Sequence, residues 1–189
     1  MTNLYFDTEF TGLQKDTSLI SIGIVSDDGR SFYAEFVDYD KTKVDEWIKE
    51  NVIRNLLFSG ESVLKKDQKD PEFSVAISGT RDMIKLELEK WLTSFEDSIQ
   101  FVSDVCHYDF VLLIDIFGGA FSLPKQINPS CHDINQDLAK RFNLTEKSAF
   151  DLKREAIVEN FNYKLPTGNK HNSLFDAEVI KQLYHICNG

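Results

Sequence analysis

Asn3-Leu4-Tyr5-Phe6-Asp7-Thr8-Glu9-Phe10 opens the chain as an aromatic-rich strand carrying two carboxylates two residues apart. Alternation along a strand points Asp7 and Glu9 to the same face of the sheet. Working outward, Leu19 to Ser26 reads as a second strand, with Ile20, Ile22 and Ile24 on one face. Asp28-Gly29 signals a hairpin, and Ser31 to Asp38 returns as a third strand. Two acids side by side among aromatic neighbours repel each other and lose hydration, so they need a cation to stay ionised. Hard oxygen ligands of this kind suit Mg²⁺ or Mn²⁺ rather than zinc. A lone Asp-x-Glu at the solvent end of an edge strand would be the simpler explanation, and the rest of the chain must decide.

Beyond these strands the pattern becomes helical. Val44 to Phe58 carries apolar residues at helical spacing, Trp47 among them, and Glu61 to Ser78 is polar, contains Pro71 and reads as an exposed loop. Thr80 starts a long amphipathic helix. Ile99 to Val102 is a short buried strand, and Tyr108 to Phe117 a helix closed by Gly118-Gly119. A short irregular strand is expected around Ile127 to Ile134, followed by helices over Asn135–Phe142, Phe150–Phe161 and Ser173–Cys187. Three antiparallel strands followed by alternating helices and two further strands make a mixed α/β sheet flanked by helices. The whole 1–189 is expected to be one domain.

Two further clusters carry chemistry. Ser103-Asp104-Val105-Cys106-His107-Tyr108-Asp109 joins the fourth strand to a helix. Asp109 is the preferred metal ligand, with capping of the helix start as its structural alternative; Asp104 competes and is read as a supporting residue at the strand end. Lys170-His171-Asn172-Ser173-Leu174-Phe175-Asp176 precedes and opens the last helix. On one continuous helix His171 and Asp176 would point about 140° apart. If Asn172 or Ser173 caps the helix, His171 lies on the preceding loop and can swing over the face carrying Asp176.

Asp-x-Glu on a first strand, Tyr-Asp opening a middle helix and His-x4-Asp opening the last one together resemble the three motifs of the DEDDh (DnaQ-like) 3′-5′ exonucleases, on a ribonuclease H-like fold. Asp7-Thr8-Glu9-Phe10-Thr11-Gly12-Leu13 is similar to the first motif almost residue for residue. Within that family the chain looks most like the small bacterial and phage 3′-5′ exoribonucleases. The resemblance implies that Asp7, Glu9, Asp109 and Asp176 hold two divalent ions, Mg²⁺ or Mn²⁺. It implies that His171 is the general base, with an ordinary pKa near ~6.5. Nucleoside 5′-monophosphates would leave single-stranded RNA 3′ ends. Thr8 and Phe10 would offer backbone contacts to the substrate, and Leu13 either wedges against the terminal base or packs in the core. Among the basic residues, Lys170, Lys153 and Arg154 could touch phosphates, with plain solvated surface charge as the alternative, and Lys170 is taken as the substrate contact. A DNA-directed exonuclease would carry the same five residues, and a non-catalytic ribonuclease H-like binding domain usually lacks one or more of them.

The net charge of −10 argues against a broad basic channel. The three cysteines lack any CxxC spacing, which fits reduced thiols in a cytoplasmic protein. Met1-Thr2-Asn3 runs straight into structure and no apolar run is long enough for a membrane span, so neither a signal peptide nor a membrane partner is expected. The large apolar helical faces permit a homodimer without requiring one.

Overall fold

The computed structural model describes residues 1–58, 63–66 and 74–189. Its centre is a mixed sheet of β1 (Thr2–Phe10), β2 (Leu19–Ser26), β3 (Ser31–Phe36), β4 (Val63–Lys66), β5 (Ser74–Gly79), β6 (Ile99–Ser103) and β7 (His132–Asp133). Their order across the sheet is β4-β5-β3-β2-β1-β6-β7. β1, β2 and β3 form the expected antiparallel meander, and Gly29 turns the β2–β3 hairpin with φ 91°. The strand count differs from the expected five. Residues 63–66 and 74–79, read as loop from their polar sequence, are β4 and β5, with β5 parallel to β3 and β4 antiparallel to β5. Short peripheral strands need little apolar patterning, which is why composition missed them. Pro71 lies outside the described residues.

Helices cover both faces. α2 (Arg81–Leu92) and α3 (Cys106–Ile116) pack on the face bearing Leu4, Phe6, Ile22, Ile24 and Phe32. α4 (Ile134–Phe142), α5 (Glu146–Phe150), α6 (Arg154–Asn160) and α7 (Ser173–Asn188) cover Tyr5, Val25 and Val102 on the other. α1 (Glu46–Asn51) continues into a 3₁₀ turn at Ile53–Asn55, shorter than the single helix its apolar spacing suggests. The helix expected over 150–161 forms only from Arg154 as α6, and Phe150 instead ends the separate α5. Arg154 donates to the Ala149 carbonyl at 2.6 Å and to that of Leu152 at 3.4 Å, bracing the turn between α5 and α6. Among the described residues no helix is long and apolar enough to cross a membrane.

Two features of this frame prepare the site. β6 pairs with β1 only from Thr2 to Tyr5, so from Phe6 onward one edge of β1 is left open beyond the end of β6. On β2, a Cβ at Gly23 would stand 2.4 Å from the backbone of Ser173 and Leu174, so glycine there is what admits the start of α7 against the sheet.

Candidate active site

The open edge of β1 collects the predicted residues from three distant segments. Asp7 and Glu9 face the side covered by α7, and Asp109, in the first turn of α3, reaches the same edge. Asp109 does not cap its own helix. It is 1% exposed, and its carboxylate accepts the Thr8 hydroxyl at 2.6 Å and the Ser103 hydroxyl on its other oxygen. Thr8 points to the opposite face from its neighbours and is buried, so its side chain holds Asp109 and only its backbone is left for a ligand.

Asn172 caps α7, accepting from the Leu174 and Phe175 amides at 3.2 and 3.3 Å. His171 therefore lies before the helix, in the left-handed region with φ 62°. Its backbone N–H donates to Asp176 at 2.8 Å, and its Nδ1 is 3.8 Å from Glu9 Oε1. The Trp47 ring meets the imidazole edge-on, with centroids 5.1 Å apart. Ligand atoms of Glu9, His171 and Asp176 lie within 4.8 Å of one another, as do those of Asp7, Asp104 and Asp109. Asp104 thus joins the cluster, pinned from behind by Arg154 with Nε at 3.3 Å.

These groups line a cleft of about 670 Å³. Burial, then the charges of Asp109, Asp176 and Glu9, push Asp7 well above the usual carboxylate range. Burial followed by Asp176 and Asp109 pushes Glu9 up to about 8, with Lys170 opposing. Asp109 rises to about 7 through burial, against the lowering bonds from Ser103 and Thr8, and Asp176 to about 7 through burial, against the His171 N–H. Carboxylates crowded in this way ionise together only when a cation shares the site. The all-oxygen donor set fits Mg²⁺ or Mn²⁺. Burial and the Lys170 charge lower the pKa of His171, favouring the neutral imidazole at pH 7.

The remaining expectations divide. Leu13 lines the cleft and is 70% exposed, which excludes core packing for it. Tyr108 fixes its loop, donating to the Leu13 carbonyl at 2.7 Å while stacking on Phe10 at 5.4 Å between centroids. Lys170 lines the cleft with its Nζ 3.3 Å from Glu155. Arg154 is turned inward to Asp104 and to Asn135, so the expected role as an open phosphate contact does not match its placement; Lys153 is the N-cap position of α6 and is exposed. Sequence reading missed Trp47, which is 55% exposed in the cleft wall; its helical spacing had assigned it to a buried face.

The family model for the Rv2179c-like 3′-5′ exoribonuclease domain matches residues 2–187. A 3′-5′ exoribonuclease of Mycobacterium tuberculosis (strain H37Rv), Rv2179c, is 29% identical over 133 residues, covering 70% of this chain and 71% of that protein. Among solved structures, the nuclease domain of 3′hExo, a DEDDh family member bound to rAMP, aligns with a TM-score of 0.60 at 12% identity over 96% of this chain and 88% of that one. S. pombe Pop2p, in a form with Mg²⁺ and Mn²⁺ bound, aligns with a TM-score of 0.59 at 14% identity over 96% and 81%. At such identities these two likenesses establish the fold, which is ribonuclease H-like.

Proposed function

The chain belongs to the Rv2179c-like 3′-5′ exoribonuclease domain family, and from that premise we propose that it removes nucleoside 5′-monophosphates one at a time from the 3′ end of single-stranded RNA. The observation that carries this reading is the convergence of Asp7, Glu9, Asp109, Asp176 and His171 on one cleft from three distant stretches of chain. The four carboxylates would hold two divalent ions, Mg²⁺ or Mn²⁺. When bound, such ions polarise the scissile phosphodiester, acidify a water and neutralise charge on the leaving oxygen.

The protein's own groups do the rest. His171, neutral and partly exposed at the cleft wall, accepts the proton of the attacking water as the bond to phosphorus forms. The 3′ oxygen of the shortened strand departs as the new end. Leu13 and Trp47 present apolar surface to the terminal base, a contact that tolerates any base and contributes on the order of 1–3 kcal/mol. Phe10 supports that wall through Tyr108. Lys170, which opposes the rise in the Glu9 pKa, sits where it can share a phosphate charge with the bound ions.

The test is to incubate the protein with 5′-labelled single-stranded RNA and DNA, with Mn²⁺ or with EDTA. A ladder shortening from the 3′ end of RNA, absent in EDTA and in Asp7→Ala, is the expected result. RNA left intact by the wild type, with Asp7→Ala indistinguishable from it, rejects the reading; preferential shortening of DNA reassigns the substrate.

A further inference from the structure

The peptide joining Lys170 to His171 is held at both ends. Its N–H donates to Asp176 at 2.8 Å, and its carbonyl accepts from Asn55 Nδ2 at 2.9 Å. The same Nδ2 donates to the Asn51 carbonyl at 2.6 Å, tying the Asn55 side chain back to the end of α1. On the other side of His171, Asn172 Nδ2 donates to the Asn55 carbonyl at 2.8 Å. Asn169 reaches Asn55 Oδ1 at 3.4 Å. One residue, distant in sequence from the loop, therefore holds the residues on both sides of a histidine in left-handed conformation.

A left-handed φ at a residue with a β-carbon persists only where the surroundings over-determine it. Without the amide of Asn55, the Lys170 carbonyl loses the partner that opposes rotation of this peptide plane. The turn itself is anchored further in. The buried Glu35 carboxylate accepts the Leu57 and Phe58 amides and the Tyr33 hydroxyl, and Tyr33 in turn lies 3.4 Å from Asn172 Nδ2. Asn55 lines the neighbouring cavity of about 440 Å³ behind the loop rather than the carboxylate cleft, so it acts on the chemistry only through another residue.

We infer that Asn55 is the positioning residue for His171: its amide and carbonyl clamp the 169–172 loop so that the imidazole faces Glu9 and the cleft. The inference rests on the reading of His171 as the base. Misplacing a reacting group by about an ångström costs on the order of 100-fold in rate.

The experiment is a double-mutant cycle read as RNA-shortening kinetics in Mn²⁺. Asn55→Ala, and the nearly isosteric Asn55→Asp, which removes the amide donor, should lower kcat by about 10- to 100-fold. KM and the Mn²⁺ affinity should stay within about twofold of wild type, as expected when only the proton-accepting group is displaced. In a His171→Ala background, Asn55→Ala should cost nothing further, because the group it positions is gone. An equal loss in both backgrounds, or a kcat unchanged by Asn55→Asp, overturns the inference. Wild-type kcat in His171→Ala alone overturns instead the assignment of the base.

Discussion

Asp7, Glu9, Asp109 and Asp176 hold protons in the folded, ion-free chain that the unfolded chain has already lost. Their pKa values are raised, to about 8 for Glu9 and about 7 for Asp109 and Asp176, and well above the usual range for Asp7. Above about pH 4.5 the unfolded carboxylates are ionised. The native state then binds more protons than the unfolded one, so stability falls as pH rises through these folded values. His171 is shifted the other way and contributes its own gain only below about pH 6.5, so it does not offset this trend above that pH. In EDTA, Tm should therefore decline from about pH 6.5 to about pH 8.5, and Asp7→Asn should flatten the decline. Mn²⁺ should raise Tm more at the upper pH, where ligands need not release protons to bind it. An equal Mn²⁺ shift at both values would contradict the crowding. At this scale the five residues were legible because ligand chemistry restricts residue types and chain order pairs them. Asp104 was legible only as a supporting residue at the strand end, and Asn55 and Trp47 not at all, because the contacts that define them are to Arg154, Lys170 and His171, partners 50, 115 and 124 positions away along the chain.

Gly23 decides how α7 sits, and with α7 the placement of Asp176 and the loop before it. Gly23→Ala sets a methyl carbon 2.4 Å from the backbone of Ser173 and Leu174, neither of which can yield as a flexible side chain would. The start of α7 must lift from β2, straining the buried contact between the Ser21 and Ser173 hydroxyls at 3.0 Å. A loss of about 1–3 kcal/mol in urea denaturation is expected, as for overpacking of a core. RNA shortening should fall by more than that loss of folded protein explains, and activity proportional to folded fraction would show that α7 re-docks unchanged. β1, β2 and β3 were readable from alternation and the Asp28-Gly29 turn, and α7 from its Asn172 cap. β4 and β5 escaped because Lys65, Lys66, Ser74 and Ser78 interrupt the apolar pattern, and β5 finds its parallel partner in β3, remote in sequence. The break between α5 and α6 escaped because it depends on where the Arg154 guanidinium points.

Across the whole molecule the acidic balance is matched inside the cleft. Lys43, Arg154 and Lys170, the cations lining it, face Asp16, Asp104 and Glu155 at 2.6, 3.3 and 3.3 Å. With these cleft cations paired among the described residues, most of the charge of a phosphate entering the cleft would be met by the divalent ions. For RNA binding at saturating Mn²⁺, the slope of log affinity against log KCl should not exceed about 1.5 in magnitude, the value for roughly two phosphates on a single strand. A steeper slope that grows with RNA length would reveal a basic track elsewhere on the surface. The net charge of −10 is consistent with this pairing of the cleft's cations, whereas the two-sided construction of the site did not follow from composition. Because β1 outruns β6, Asp109 arrives with the layer of α2 and α3, while His171 and Asp176 arrive with the layer of α4 to α7. A chain on which only one layer has docked lacks either Asp109 or the His171–Asp176 pair. On the proposed reading, RNA hydrolysis would therefore report that both layers have docked.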